Sequence, residues 1–163
     1  MNLVVVIKIL NDLKRRKKLK DYAIFGAVGA SYYMEPTYTK DIDIIVLADT
    51  DPEYIWRELR NYATKVKDFG FIIADTEVQI LPTSVSPLLE SALRNAIVAR
   101  TGGLTTRVVD REHLILLALR ANRSKDRFRA HVMLEQANIE RLDTLIRRFD
   151  IDGSLKERLN GLS

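Results

Sequence analysis

Phe25-Gly26-Ala27-Val28-Gly29-Ala30-Ser31, followed by Thr39-Lys40-Asp41-Ile42-Asp43-Ile44-Ile45-Val46, is the stretch on which the reading of this chain turns. An apolar run enters a glycine-bearing turn, and one short helix later two carboxylates interrupt an otherwise apolar strand. Successive side chains on a strand alternate faces, so Asp41 and Asp43 point the same way while Ile42, Ile44 and Val46 point into a core. Two like charges this close repel each other unless a cation sits between them. A hard divalent ion, Mg²⁺ or Mn²⁺, bridging both carboxylates and substrate phosphates meets that need. Gly26 and Gly29 let backbone N–H groups approach a phosphate, and Ser31 adds a hydroxyl. The plain alternative is a strand-to-helix turn that only needs small residues. No Gly-Lys-Ser/Thr follows, so this is not a Walker loop, nor is it Gly-x-Gly-x-x-Gly.

Two later segments bear on the same site. Glu77 and Gln79 lie two apart on an expected strand and share a face. Glu77 reads equally as a third acid of the metal site or as an edge-strand charge, and Asp75 falls in the turn before it. Gln79 offers a carbonyl oxygen but no base at neutral pH. Arg123-Ser124-Lys125-Asp126 opens a helix. Lys125 is placed to neutralise outer phosphates, Arg123 to grip phosphates or an acceptor, and Asp126 to orient Lys125 or cap the helix. The alternative there is a solvated, charged turn.

With its glycine turn, Asp-x-Asp and Arg-x-Lys-Asp, the sequence over about residues 20 to 135 resembles the nucleotidyltransferase superfamily typified by DNA polymerase beta. It is most similar to small bacterial proteins of the AbiEii toxin type. Their glycine turn and Asp-x-Asp are spaced much as Gly26 and Asp41 are, with a hydroxyl residue two before the first Asp, matched by Thr39. The resemblance implies an α/β (α+β) nucleotidyltransferase fold: a small mixed β-sheet flanked by helices, with a C-terminal helical portion. It implies Mg²⁺ or Mn²⁺ at Asp41, Asp43 and Glu77, which are also the catalytic acids. It implies an NTP held by Gly26, Ala27, Ser31, Thr39, Lys40, Gln79, Arg123, Lys125 and Asp126. Transfer of NMP to an acceptor hydroxyl, and a toxin–antitoxin role with a protein partner, follow from the same resemblance. The chain departs from the pattern twice. Ala27 replaces the usual second Gly or Ser of the turn, and Gln79-Ile80-Leu81-Pro82 stands where a third Asp usually opens its strand.

The chain has 163 residues, 47% hydrophobic and 29% charged, in the range of ordinary globular proteins. One domain, 1–163, is expected, with the sheet within about 20–109 and helices over about 110–163. There is no cysteine, which removes disulfides and thiolate zinc sites and fits a reducing cytoplasm. Leu3 to Ile7 is too short to span a membrane, and its charges follow the apolar part, the reverse of a signal peptide. Lys14-Arg15-Arg16-Lys17-Lys18 with Lys20 forms one basic cluster; Arg120, Arg123, Lys125, Arg127 and Arg129 form another. Both read as polyanion-binding patches, which admits RNA or tRNA as acceptor, or as solvated helix ends. His113 and His131 form no zinc grouping, and the lack of a Gly-x-Ser-x-Gly elbow argues against a hydrolase triad.

Periodicity predicts a helix over 2–18, with a strand at Val4 to Ile7 as the alternative. A strand is expected at Tyr22 to Phe25, a short helix at Gly29 to Met34, and a strand at Asp41 to Leu47. Asp51-Pro52 starts a helix expected to reach Lys67, carrying Ile55, Leu59, Tyr62, Ala63 and Val66 on one face. A hairpin pairs Phe71 to Ala74 with Glu77 to Leu81 across Asp75-Thr76. Ser86-Pro87 opens a helix to about Ala99, and Gly102-Gly103 turns into a strand at Thr105 to Val109. Helices follow from Asp110, from Ser124 and over Ile139 to Phe149, and Ser154 with Glu157 gives a capping-box pattern. Two other readings belong to different classes: a fold relative that binds nucleotide or RNA without transfer, and a partner-binding module built on the apolar C-terminal helices.

Overall fold

The structure, a computed structural model, describes residues 1–47 and 51–162. Helix α1 (Leu3–Arg15) precedes strand β1 (Asp21–Phe25), a single short helix α2 (Gly26–Ala30) and strand β2 (Asp41–Leu47). Helix α3 (Pro52–Arg60) leads to β3 (Lys65–Lys67), β4 (Gly70–Ile73) and β5 (Thr76–Pro82). After α4 (Pro87–Arg94) come β6 (Ile97–Thr101) and β7 (Leu104–Val108), then α5 (Arg111–Ala121), α6 (Ser124–Leu134), α7 (Ile139–Phe149) and α8 (Ser154–Asn160). The seven strands form one mixed sheet in the order β3-β4-β5-β2-β1-β7-β6. β2 runs parallel to β5 and β1 parallel to β7; every other neighbour is antiparallel.

The alternation read from Asp41 to Val46 holds. Ile42, Ile44 and Val46 join Tyr22, Ile24, Phe71, Val78 and Ile80 in a core covered by α1 and α3. Ile45 points to the other face with Ala23, under the helices α4 to α8. Asp41 and Asp43 therefore lie on that second face, at the end of the sheet where β1 finishes and β2 and β5 begin. The first segment is helical, as the 2–18 periodicity predicts, with Val6, Ile7, Leu10 and Leu13 buried.

Two expected helix tails are strands instead. The helix from Asp51 stops at Arg60, and Lys65–Lys67 pairs with β4, bringing Val66 opposite Phe71 rather than onto a helix face. Thr64 N–H donates to the Ile72 carbonyl at 2.9 Å, which starts this pairing. The helix from Ser86 stops at Arg94, and Ile97–Thr101 pairs with β7. β-branched Ile97 and Val98 favour the pleated conformation, and Gly102 and Gly103, at φ +56° and +79°, close the hairpin. The short helix expected at Gly29 to Met34 lies earlier, over Gly26–Ala30. The β4–β5 turn sits at Ala74 and Asp75, both with positive φ, one residue before the expected Asp75-Thr76.

Ser154 does not cap α8; Gly153 occupies that position at φ +78°. Asp152 and Asp150 accept the first N–H groups of the helix instead. The apolar faces of α5, α7 and α8 are buried in the molecule's own core, at Leu116, Leu119, Leu142, Ile146 and Leu155. That packing uses up the surface on which a helical partner-binding module would depend. No helix among the described residues is long and apolar enough to cross a membrane.

Candidate active site

Gly26 has φ +62°, and a Cβ added there would overlap Asp43 Oδ2. Only glycine lets the first turn of α2 sit directly on the Asp43 carboxylate. The leading N–H groups of a helix have no partner within it, so this turn brings backbone donors to the edge of the acid pair. α2 has only five residues, and its donors count through proximity rather than through a macrodipole. Gly29 serves differently: it is buried in α2, where an added Cβ would stand 3.1 Å from the Ile24 carbonyl oxygen and 3.3 Å from Leu114 Cδ2. Its small size is required by this packing.

The β2–β5 register sets Asp41 beside Glu77 and Asp43 beside Gln79, so all four side chains share one face. Asp41 is held from both sides. Thr39 Oγ1 donates to its Oδ1 at 2.6 Å, and Gln79 Nε2 donates to its Oδ2 at 2.9 Å. Asp43 accepts no such bond among the described residues. Burial pushes its carboxyl up to about 6, and the neighbouring Asp41 charge adds to the rise. Arg123, Arg129 and Lys125 pull it partly back.

Glu77 is engaged elsewhere, its Oε2 accepting from Lys67 Nζ on β3 at 2.6 Å. Among the described residues no three acids or histidines converge on a metal position, so the expected Asp41–Asp43–Glu77 set is not assembled. Gln79 bonds Asp41 through its nitrogen, so its side-chain oxygen is the further oxygen available beside the two carboxylates. Such a set fits a hard cation that keeps several waters and takes its remaining ligands from substrate phosphates.

Across a cavity of about 220 Å³, Gly26, Asp43 and Gln79 face Arg123, Asp126 and Arg129. Phe25, Leu81, Leu117 and Met133 supply its apolar wall. Asp126, 2% exposed, accepts from Arg123 Nε at 2.6 Å and from Arg129. It also closes a capping box at the start of α6.

The remaining expected nucleotide contacts divide. Ala27 is buried in the first turn of α2. Ser31 lies past the end of that helix, and its hydroxyl donates to the Val28 carbonyl at 2.6 Å. Lys40 is exposed beside Asp41. Lys125 is exposed on α6 rather than directed at the sheet, near enough to act on Asp43 only through its charge. Arg129, 5% exposed, is the cavity residue that the sequence motif leaves out. Its signal was the spacing: three residues after Asp126 on a helix is the next position on the same face.

The fold is shared with solved nucleotidyltransferase structures. ANT(2'')-Ia, crystallised in complex with adenylyl-2''-tobramycin, superposes with a TM-score of 0.63 at 14% identity, over 92% of this chain and 98% of that one. An antigenic nucleotidyltransferase-like protein from Paracoccidioides brasiliensis gives 0.55 at 16% identity, over 94% and 91%. A candidate nucleotidyltransferase from Thermotoga maritima gives 0.53 at 19% identity, over 83% and 93%. No family model matches the sequence, and neither does any curated protein. The chain thus has the nucleotidyltransferase fold, a mixed sheet flanked by helices. At these identities the likeness is one of architecture, and the chemistry has to be argued from the residues themselves.

Proposed function

We infer that the chain is a metal-dependent nucleotidyltransferase that moves NMP from an NTP to an acceptor hydroxyl and releases pyrophosphate. The observation that carries this reading is the Gly26 backbone seated on Asp43, with Asp41 pinned beside it by Thr39 and Gln79. Asp41, Asp43 and the Gln79 oxygen would hold Mg²⁺ or Mn²⁺, which when bound neutralises charge on the triphosphate and on the attacking and leaving oxygens. First-turn N–H groups of α2 receive phosphate oxygens. Thr39 and Gln79 hold Asp41 in one rotamer, so its carboxylate need not be ordered when substrate arrives. Glu77, in register with Asp41, takes the acceptor proton once its carboxylate leaves Lys67.

The resemblance to AbiEii-type proteins extends the reading to a cytoplasmic toxin–antitoxin component with an RNA, tRNA, protein or small-molecule acceptor. The test is titration of each NTP with Mg²⁺ into wild type and Asp43→Asn, followed by transfer assays with α-labelled NTP. Saturable binding lost in the variant, with label moving to an acceptor, is expected; no binding of any NTP would sink the reading.

One observation favours a second reading, a catalytically lapsed binder of nucleotide or RNA. Gln79 stands beside Asp43 where an acid would serve as base, and Glu77 is tied to Lys67. Its signature is NTP binding without label transfer, and a biological effect that survives the Asp41→Asn/Asp43→Asn double variant.

A further inference from the structure

Arg129 is a buried cation with donors to spare. A guanidinium carries five N–H groups; among the described residues its one hydrogen-bond partner is Asp126. None of its nitrogens is both sealed from solvent and unpaired, so its remaining donors open into the cavity that it shares with Gly26 and Asp43.

Asp126 is the single carboxylate set between two guanidiniums, leaving the Arg123–Asp126–Arg129 group with one net positive charge. The surplus charge belongs to Arg123, whose side chain is exposed, while buried Arg129 shares the Asp126 carboxylate and keeps donors open to the cavity, so an anion entering there meets a positive wall. Planar guanidiniums fanned by a shared acid suit phosphate oxygens, which they bind by paired, charge-assisted hydrogen bonds.

We propose that the Arg123–Asp126–Arg129 cluster is the receptor for the outer phosphates of a polyphosphate, with Arg129 as its principal contact and Asp126 as a positioning residue that touches no ligand. This assignment deepens the nucleotidyltransferase reading and rests on it for the identity of the substrate. It also displaces Lys125, the residue that the Arg-x-Lys-Asp motif singles out, to a long-range electrostatic role. The buried position of Arg129 makes its contact resistant to screening, whereas exposed Lys125 acts through solvent and weakens with salt.

The probe is inorganic tripolyphosphate with Mg²⁺, titrated calorimetrically into wild type, Arg129→Gln, Arg123→Gln and Lys125→Gln. Loss of a charge-assisted contact predicts at least tenfold weaker binding for Arg129→Gln, a smaller loss for Arg123→Gln and less than about threefold for Lys125→Gln. Raising salt from 50 to 300 mM should erase the Lys125 effect and keep the Arg129 effect.

Equal affinity in Arg129→Gln and wild type, or a larger loss in Lys125→Gln, would overturn the assignment. So would a wild type that binds an unphosphorylated nucleoside through Arg129 but not tripolyphosphate, because the cavity would then be a base pocket. If Arg129→Gln does not fold, Arg129→Lys keeps charge and bulk but loses the fork; undiminished tripolyphosphate affinity in it counts against the proposal. Binding through Arg129 without NMP transfer to any acceptor would leave the receptor standing and remove the enzymatic reading. NTP binding that persists while tripolyphosphate is ignored would do the reverse.

Discussion

Gly26 and Asp43 form one unit, since the carboxylate fills the space a side chain at Gly26 would need. Gly26→Ala is expected to lose NTP binding and about 1–3 kcal/mol of stability, read by calorimetric titration and thermal denaturation. Asp43 also makes stability depend on pH. Its folded carboxyl titrates near 6 against an ordinary 3.8, chiefly because burial disfavours the charge. A raised acid contributes most below its unfolded value and loses that contribution as pH climbs through the folded one, here between about 4 and 6. Two units at ~1.4 kcal/mol each set the cost of ionised Asp43 at roughly 3 kcal/mol above pH 7. Without divalent ions, Asp43→Asn should melt higher than wild type at pH 7.5, with the gap closing towards pH 4.5. A lower melting temperature for the variant at pH 7.5 would refute this. The acid pair was legible from Asp-x-Asp within an apolar strand. The spacing from Asp126 put Arg129 on the same face of α6, but its burial was not legible, because charges along a helix do not tell a buried arginine from a solvated one.

At the scale of elements, the sequence pointed correctly to α1, β1, β2 and all four C-terminal helices, although the cap expected at Ser154 for α8 lies at Gly153. It failed at Val66 and at Ile97-Val98, where residues following an amphipathic helix continued its apolar pattern into a strand. Periodicity over three or four residues does not separate the two states; pairing partners do, and those lie at Phe71 and Val108. The β4–β5 turn holds Ala74 and Asp75 at positive φ, the geometry that Asn-Gly adopts with less strain. Replacing Ala74-Asp75 by Asn-Gly should add about 0.5–1 kcal/mol, measured by urea denaturation. A second element-level feature invites misreading. Ser91 Oγ lies 2.8 Å from His113 Nε2, and His113 Nδ1 lies 2.8 Å from Asp110 Oδ2. These are hydrolase-triad distances, but His113 is fully buried and Ser91 8% exposed, out of reach of a substrate. The chain of bonds ties α4 to α5, and Arg141 of α7 joins it through Asp110 at 2.9 Å. His113→Ala strands buried partners on both sides and should cost about 2–4 kcal/mol, while Ser91→Ala leaves any NMP transfer intact.

For the whole molecule, a cation bound only by the folded acid pair is a stabilising ligand. Mg²⁺ at a hundred times its Kd should add about 2.7 kcal/mol, seen as a higher melting temperature at pH 7.5. The gain should shrink at pH 5, where protons compete for Asp43, and vanish in Asp43→Asn. An equal gain in the variant would move the metal elsewhere. The cavity wall brings a different consequence. Its acidic side comes from Asp43 on β2 and its cationic side from 123–129, segments brought together as α5 and α6 pack against α2. A ribosome delivers these halves in sequence, so the nascent chain displays its carboxylates some eighty residues before the arginines that face them emerge. Until then the acids stand uncompensated at the sheet's end, and no polyphosphate receptor exists; ligand binding begins only after Arg129 has emerged and α6 has packed.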